Sequence, residues 1–213
     1  MNNQGFSLDV GTAGFQHKDW AGTFYEEDMP EDWYFEFYSH EFHALLLEEN
    51  EIPEPDVLRE WLEDLDDSFS LLLPVSNVLD NGFSELLSNM SCFCGLIAPE
   101  KLPDDLSLPV YCSLQTLQEC ESAQDVLLRG GIYTADLDAD LEGIASLPDV
   151  QRVVYQHTLS SGDELDLKAW KARYTELQAV LPASAEVHVI IAGTPPSLEA
   201  VRQLSTLAEL MGC

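Results

Sequence analysis

The chain has 213 residues, 46% of them apolar, and its 39 Asp and Glu against nine Lys and Arg leave a formal net charge of −30. That length suits one domain over residues 1–213, and the apolar content marks a globular rather than a disordered chain. The charge argues against nucleic-acid and anionic-membrane surfaces, which need a basic footprint, and no apolar run reaches the ~18 residues of a spanning helix.

In chain order, residues 6–10 read as a short first strand that stops at Gly11. The loop chemistry that follows, as far as Glu27, is dense: three glycines, four aromatics, a His-Lys-Asp run and two carboxylates. Residues 33–42 form a helix entered at Pro30-Glu31-Asp32, and 44–47 a second strand. Pro55 opens a helix with the stripe Val57, Leu58, Trp61, Leu62 and Leu65. Residues 69–75 are a third strand, 83–90 a short helix, 92–98 a fourth strand and 108–114 a fifth. A helix over 123–129 stops at Gly130-Gly131. Residues 132–137 are a sixth strand, 141–147 a brief helical turn and 152–158 a seventh strand. Asp166 caps a helix carrying Leu167, Trp170, Tyr174, Leu177 and Leu181. Residues 187–192 are the eighth strand. The closing helix starts after Thr194, Pro195, Pro196 and Ser197 and is lined by Leu198, Val201, Leu204, Ala208 and Met211.

Eight alternations of strand and helix, with strands apolar throughout rather than every second residue, imply burial on both faces and a parallel sheet. The expectation is an α/β fold, a compact TIM-like (β/α)8 barrel with some helices reduced to turns, since ~250 residues is typical. The helices near 141–147 and after Ala98 are the candidates for reduction. An open sheet with fewer strands is the alternative.

In such a barrel the loops after the strands' C-terminal ends carry function. They place Gly11, Thr12, Gln16, His17, Glu48, Glu49, Asn50, Ser76, Asn77, Asp136, Asp138, Gln156, His157, Gly193 and Thr194 at one end. His17, Glu48, Asp136 and His157 are the candidate catalytic residues. Their chemistry suits an N/O metal site or acid–base work, although their spacing demands neither. No cofactor is expected, a divalent metal being the weaker alternative. Gly11, Thr12, Gln16, Lys18, Trp20 and Tyr25 are candidate ligand contacts, while the aromatics among them also suit sealing one barrel end. There is no nucleotide-binding glycine fingerprint and no G-x-S-x-G elbow. The five cysteines fit a reducing compartment, and MNNQGFSLDV lacks signal-peptide regions, so a cytoplasmic protein is expected. Acid is densest over residues 26–67, where Arg59 is the one cation. That run reads as a solvated face or as a docking surface for a basic protein partner. Oligomeric state is not encoded in any of these features.

The segment GTAGFQHKDWAGTFYEE resembles the N-terminal signature of the domain-of-unknown-function 72 family, the YecE-like proteins. Gly11, Thr12, Gly14, Phe15, Trp20, Gly22, Phe24 and Tyr25 match that signature; Ala13 and Glu26 depart from it. Phe37, Tyr38, Phe42, Trp61 and Phe69 continue the likeness, which is specific over residues 8–75 and faint beyond. The resemblance implies a TIM-like barrel, and the family's activity is unsettled. It also implies charged positions that this divergent, shortened chain lacks. The family's Glu, Lys and Arg fall on Leu46, Pro74 and Tyr155, its Glu-x-Arg on Tyr111-Cys112-Ser113, and its Asn pair on Ala192-Gly193. His157 alone survives among them. The expected function is therefore a binding or interaction protein acting through its acidic surface without the family's charged site. A small hydrolase- or lyase-type enzyme around His17, Glu48, Asp136 and His157 is the alternative.

Overall fold

The computed structural model describes residues 6–63, 65, 68–74, 81–89, 93–100, 108–121, 123–147 and 150–212. Eight parallel strands close into a barrel in sequence order: β1 (Ser7–Ala13), β2 (Ala44–Leu46), β3 (Ser70–Pro74), β4 (Phe93–Ile97), β5 (Val110–Cys112), β6 (Gly131–Thr134), β7 (Arg152–Thr158) and β8 (Glu186–Ala192). The helices α1 (Tyr34–Glu41), α2 (Pro55–Glu63), α3 (Asn81–Leu87), α4 (Leu114–Gln118), α5 (Ala123–Arg129), α6 (Leu137–Ser146), α7 (Leu167–Val180) and α8 (Leu198–Met211) surround it. This is the TIM-like barrel that the alternation predicts, and several helices are a single turn or two. No described helix is long and apolar enough to cross a membrane.

The longest ladders tie the chain's two ends together. β8 pairs with β1 from Ser7↔Glu186 to Thr12↔Ile191 and with β7 from Arg152↔Glu186 to Thr158↔Ala192. Both ladders meet on a continuous apolar run, VHVIIA, that is buried on both faces. Burial separates into two shells. The outer one packs strands against helices through Phe6, Leu45, Leu71, Tyr155 and Val187 among others. The inner one fills the barrel with Ala13, Leu46, Leu72, Ile97, Tyr111, Val154, Ile190 and Ala192. Lower in the barrel, Ser70 Oγ donates to Asp9 Oδ2 at 3.1 Å, and His188 Nδ1 lies 3.4 Å from the same oxygen. His188 is a strand residue, 2% exposed, as its place in an apolar strand suggests.

Most element ends differ by a residue or two from the sequence-based expectation, and four differences stand out. β1 does not stop at Gly11; it runs through Gly11 and Thr12 to Ala13, because both keep ladder partners in β2 and β8. The fifth strand ends at Cys112, where Ser113 accepts from Thr116 N and starts α4. The sixth ends at Thr134, because Asp136 accepts from Ala139 N and starts α6, which is a full ten-residue helix, Leu137–Ser146, and not the brief, reduced turn expected over 141–147. The first helix splits into a 3-10 turn, Glu31–Trp33, and α1. Asp166 and Ser197 cap α7 and α8 as the sequence implies.

Candidate functional site

The loop leaving β1 is built around one carboxylate. Glu51, 6% exposed, accepts from the backbone N–H groups of Phe15 at 2.8 Å and Gln16 at 2.7 Å through Oε1. Its Oε2 accepts from Glu48 N at 3.1 Å. Three charge-assisted bonds satisfy a buried ion and join the β1 loop to the β2 loop. Gly14, at φ 74°, makes room for this, since a Cβ there would lie 2.9 Å from His17 Nε2 and 3.1 Å from Glu51 Oε1.

The aromatics of the same loop pack inward. Trp20 is 3% exposed and Tyr25 1%. Tyr25 stacks face to face on Tyr34, centroids 3.8 Å apart, and donates its hydroxyl to Phe15 O at 2.7 Å. Burial raises its phenol well above the ordinary range, and Tyr38 and Glu51 add to the rise. Thr12 faces α1: its N–H donates to Tyr38 Oη at 2.9 Å and its Oγ1 sits 2.8 Å from the same atom. Tyr38 in turn donates to Ala44 O. Gly11 serves a close approach of strands, because a Cβ there would fall 1.7 Å from Ala44 O. Gln16 and Lys18 are exposed, and His17 is half-buried with Nε2 3.0 Å from Ala13 O and its ring 4.5 Å from Trp20. Of the six expected ligand contacts, Gly11, Thr12, Trp20 and Tyr25 hold the scaffold together, and Gln16 and Lys18 face solvent.

The barrel mouth holds a cavity of about 620 Å³. Its floor and walls come from the inner shell and strand ends, among them Ala13, Leu46, Pro74, Ile97 and Ala98. The polar lining is Gln156 together with Glu48, Glu49 and Glu100. Gln156 is oriented by Tyr133, whose hydroxyl donates to Oε1 at 2.9 Å. A second cavity of about 510 Å³ lies between Trp20, Phe24 and the start of α8. Beside it the Arg202 guanidinium sits 6.0 Å from the Phe24 and Phe42 rings.

The four catalytic candidates do not assemble. Glu48 lines the mouth cavity. Asp136 spends its carboxylate capping α6. His157 sits on the outer face of β7, in step with Val153 and Tyr155. Its Nδ1 is 3.0 Å from Tyr155 Oη and its ring 5.5 Å from Trp170 of α7. Burial holds its pKa below the ordinary histidine value, with Arg173 adding to the drop and Asp138 opposing it. Arg173 forks onto Asp138 at 2.7 and 2.6 Å. That hydrogen-bonded guanidinium keeps the Asp138 carboxyl below its usual range. Strand alternation is the physical reason for the separation: Gln156 points into the barrel, so His157 must point out. Among the described residues no three His, Cys, Asp or Glu are grouped to hold a metal ion, so the convergence considered from sequence is not formed there. Ser76, Asn77 and Cys92 lie outside the described residues. Cys112 is a buried thiol pushed up to about 12 by burial, and Cys120 is half-buried.

Sequence reasoning missed Glu51 and Glu100. Glu51 stands in the run Glu48-Glu49-Asn50-Glu51, where nothing in composition separates the buried acid from its exposed neighbours. The positions where the family resemblance implies charge carry other roles here. Leu46 and Pro74 line the cavity, Tyr111 fills the barrel, and Tyr155 packs outward against Trp170.

Comparison with known proteins agrees with the sequence resemblance. The sequence profile described as "Protein of unknown function DUF72" matches residues 9–79. The crystal structure of a DUF72 family protein from Thermotoga maritima is similar over 95% of this chain and 99% of that one, with a TM-score of 0.61 and 13% identity. The sequence signature and the barrel therefore both resemble that family. No curated protein matches the chain.

Proposed function

We propose that this chain is a binding barrel of the cytoplasm that docks a basic protein partner through its acidic face and does not run chemistry at the positions where its relatives carry charge. The observation that carries the reading is the stretch over residues 26–63, which holds fourteen carboxylates against Arg59. All of them except Glu51 are exposed, and Arg59 is already taken by Asp56 at 2.9 Å. Trp33 stands in this field at 59% exposure, between Asp32 and Glu36. An exposed indole flanked in sequence by carboxylates suits an Arg or Lys side chain, with the ring face and the anions acting on one cation. The outward His157, the cap role of Asp136 and the apolar Leu46 and Pro74 support this reading over the enzymatic alternative, since among the described residues Asp136 and His157 do not join Glu48 at the mouth.

The test is calorimetric titration with an Arg- and Lys-rich octapeptide and a sequence-matched Asp- and Glu-rich control. Binding of the basic peptide should weaken steeply with salt. It should fall about tenfold in Trp33→Ala and further in the reversal Glu31→Lys/Asp32→Lys/Glu36→Lys. Equal affinity of the native protein and both variants would overturn the reading.

A further inference from the structure

We propose that the barrel mouth is a separate site for a small organic cation, a primary or quaternary ammonium carried on a short apolar chain. The cavity, about 620 Å³, has the size of a ligand site and occupies the end of the barrel where such sites are built. Its depth is apolar: Leu46 and Ile97 belong to the inner shell, and Ala13 leaves space beside them. Its rim is anionic. Glu48, Glu49 and Glu100 line it, and no Lys or Arg does so among the described residues. Glu48 does not hang on a free loop, because its backbone N–H is held by Glu51 Oε2. Gln156 supplies a single oriented amide at the wall.

This pairing of an apolar depth with a carboxylate rim selects among ligand classes. A neutral or anionic ligand covering the rim would strip water from Glu48 and Glu100 and return nothing to them. An ammonium replaces that water with an opposite charge, next to a low-dielectric wall where the attraction is stronger than in bulk water. A bare metal ion fits less well, since no three potential ligands are grouped among the described residues. An apolar tail then gains from burial against Leu46 and Ile97.

The experiment uses the full chain and three probes of equal chain length: n-hexylammonium, n-hexanol and n-hexanoate, with magnesium as a fourth. Binding is followed by calorimetry and by chemical-shift changes in the Leu46 and Ile97 methyl groups. The expected result is saturable n-hexylammonium binding that shifts those methyls, with the other three at least tenfold weaker. The variant Glu48→Gln/Glu100→Gln should bind n-hexylammonium about tenfold more weakly. Both side chains are exposed, so it should melt at the native temperature. Equal binding of n-hexanoate, unchanged affinity in that variant, or no binding of n-hexylammonium overturns the proposal. The two readings fail separately: the Glu31/Asp32/Glu36 reversal should leave n-hexylammonium binding intact, and Glu100→Gln, which lies outside residues 26–63, should weaken n-hexylammonium binding and leave the basic peptide's affinity intact.

Discussion

Glu51 Oε1 lies 2.8 Å from Phe15 N and 2.7 Å from Gln16 N, so a side chain just beyond β2 fixes the backbone just beyond β1. The two segments are neighbours because β1 and β2 pair from Gly11↔Ala44 to Ala13↔Leu46. The glycine-rich turn therefore gets its shape from a carboxylate thirty-five or more positions away, and the aromatics behind it inherit that shape. Phe15 O accepts the Tyr25 hydroxyl, and Tyr25 stacks on Tyr34 of α1.

Replacing that carboxylate should be costly. Glu51→Gln turns one acceptor towards Glu48 N into a donor, and a loss of about 1–3 kcal/mol is expected. Glu51→Ala leaves all three N–H groups without their acceptor and should lose more. Urea midpoints measure the cost, and amide exchange at Phe15 and Gln16 should quicken well before global unfolding. Native exchange rates at those two amides in Glu51→Ala would contradict the geometry.

Gly11 should tolerate no side chain. A Cβ at that position would meet Ala44 O at 1.7 Å, inside the β1–β2 pairing. Gly11→Ala is expected to cost more than about 3 kcal/mol or to prevent folding, a severity that here has the named cause of backbone overlap. Gly22→Ala is the control, because a Cβ there meets nothing within 4 Å. Its positive φ of 73° alone should cost on the order of 1 kcal/mol.

His157 should make stability fall on mild acidification. Its folded pKa is below the ordinary value, from burial first and Arg173 second. In the window between that folded pKa and the unfolded value of about 6.5, the unfolded chain binds the extra proton. Stability is therefore complete above the unfolded value and declines as pH drops through the window. His157→Gln should flatten the dependence between about pH 7.5 and pH 5.5. Chemical denaturation at the two ends reads this directly, and equal slopes for the two proteins would remove His157 as the cause.

Salt should stabilise the fold. At a net charge of −30 the compact state repels itself more than the expanded one, and added ions screen that repulsion. The melting temperature should climb between low salt and about 0.5 M sodium chloride, where the Debye length is a few ångströms. The Arg173–Asp138 pair, with Asp138 largely exposed, is too weak to reverse the trend. A melting temperature that drops with salt would show net attraction among the surface charges instead.

Much of the scaffold was legible because it rests on local periodicity. Runs such as VHVIIA and stripes such as Leu198, Val201 and Leu204 carry their period in adjacent residues, and Asp166 and Ser197 announce helix starts by side-chain chemistry alone. The site was less so. Gln156 and His157 are neighbours in sequence and occupy opposite faces of β7. A strand position says that one points in and one points out, but the direction is set by β6, β8 and α7 together.

The chain by itself determined the parallel barrel, its order and its heavy acidity, because apolar period and net charge are properties of the string. Tertiary structure decided which acid is buried. Glu51 is held by two backbone amides from β1's loop, whereas Glu48 and Glu49 remain at the rim. It also decided that Trp20 and Tyr25 brace the turn after β1 and do not line the mouth. Those outcomes depend on contacts between residues far apart in sequence. Burial of a charge becomes affordable only where several donors from another segment converge on it.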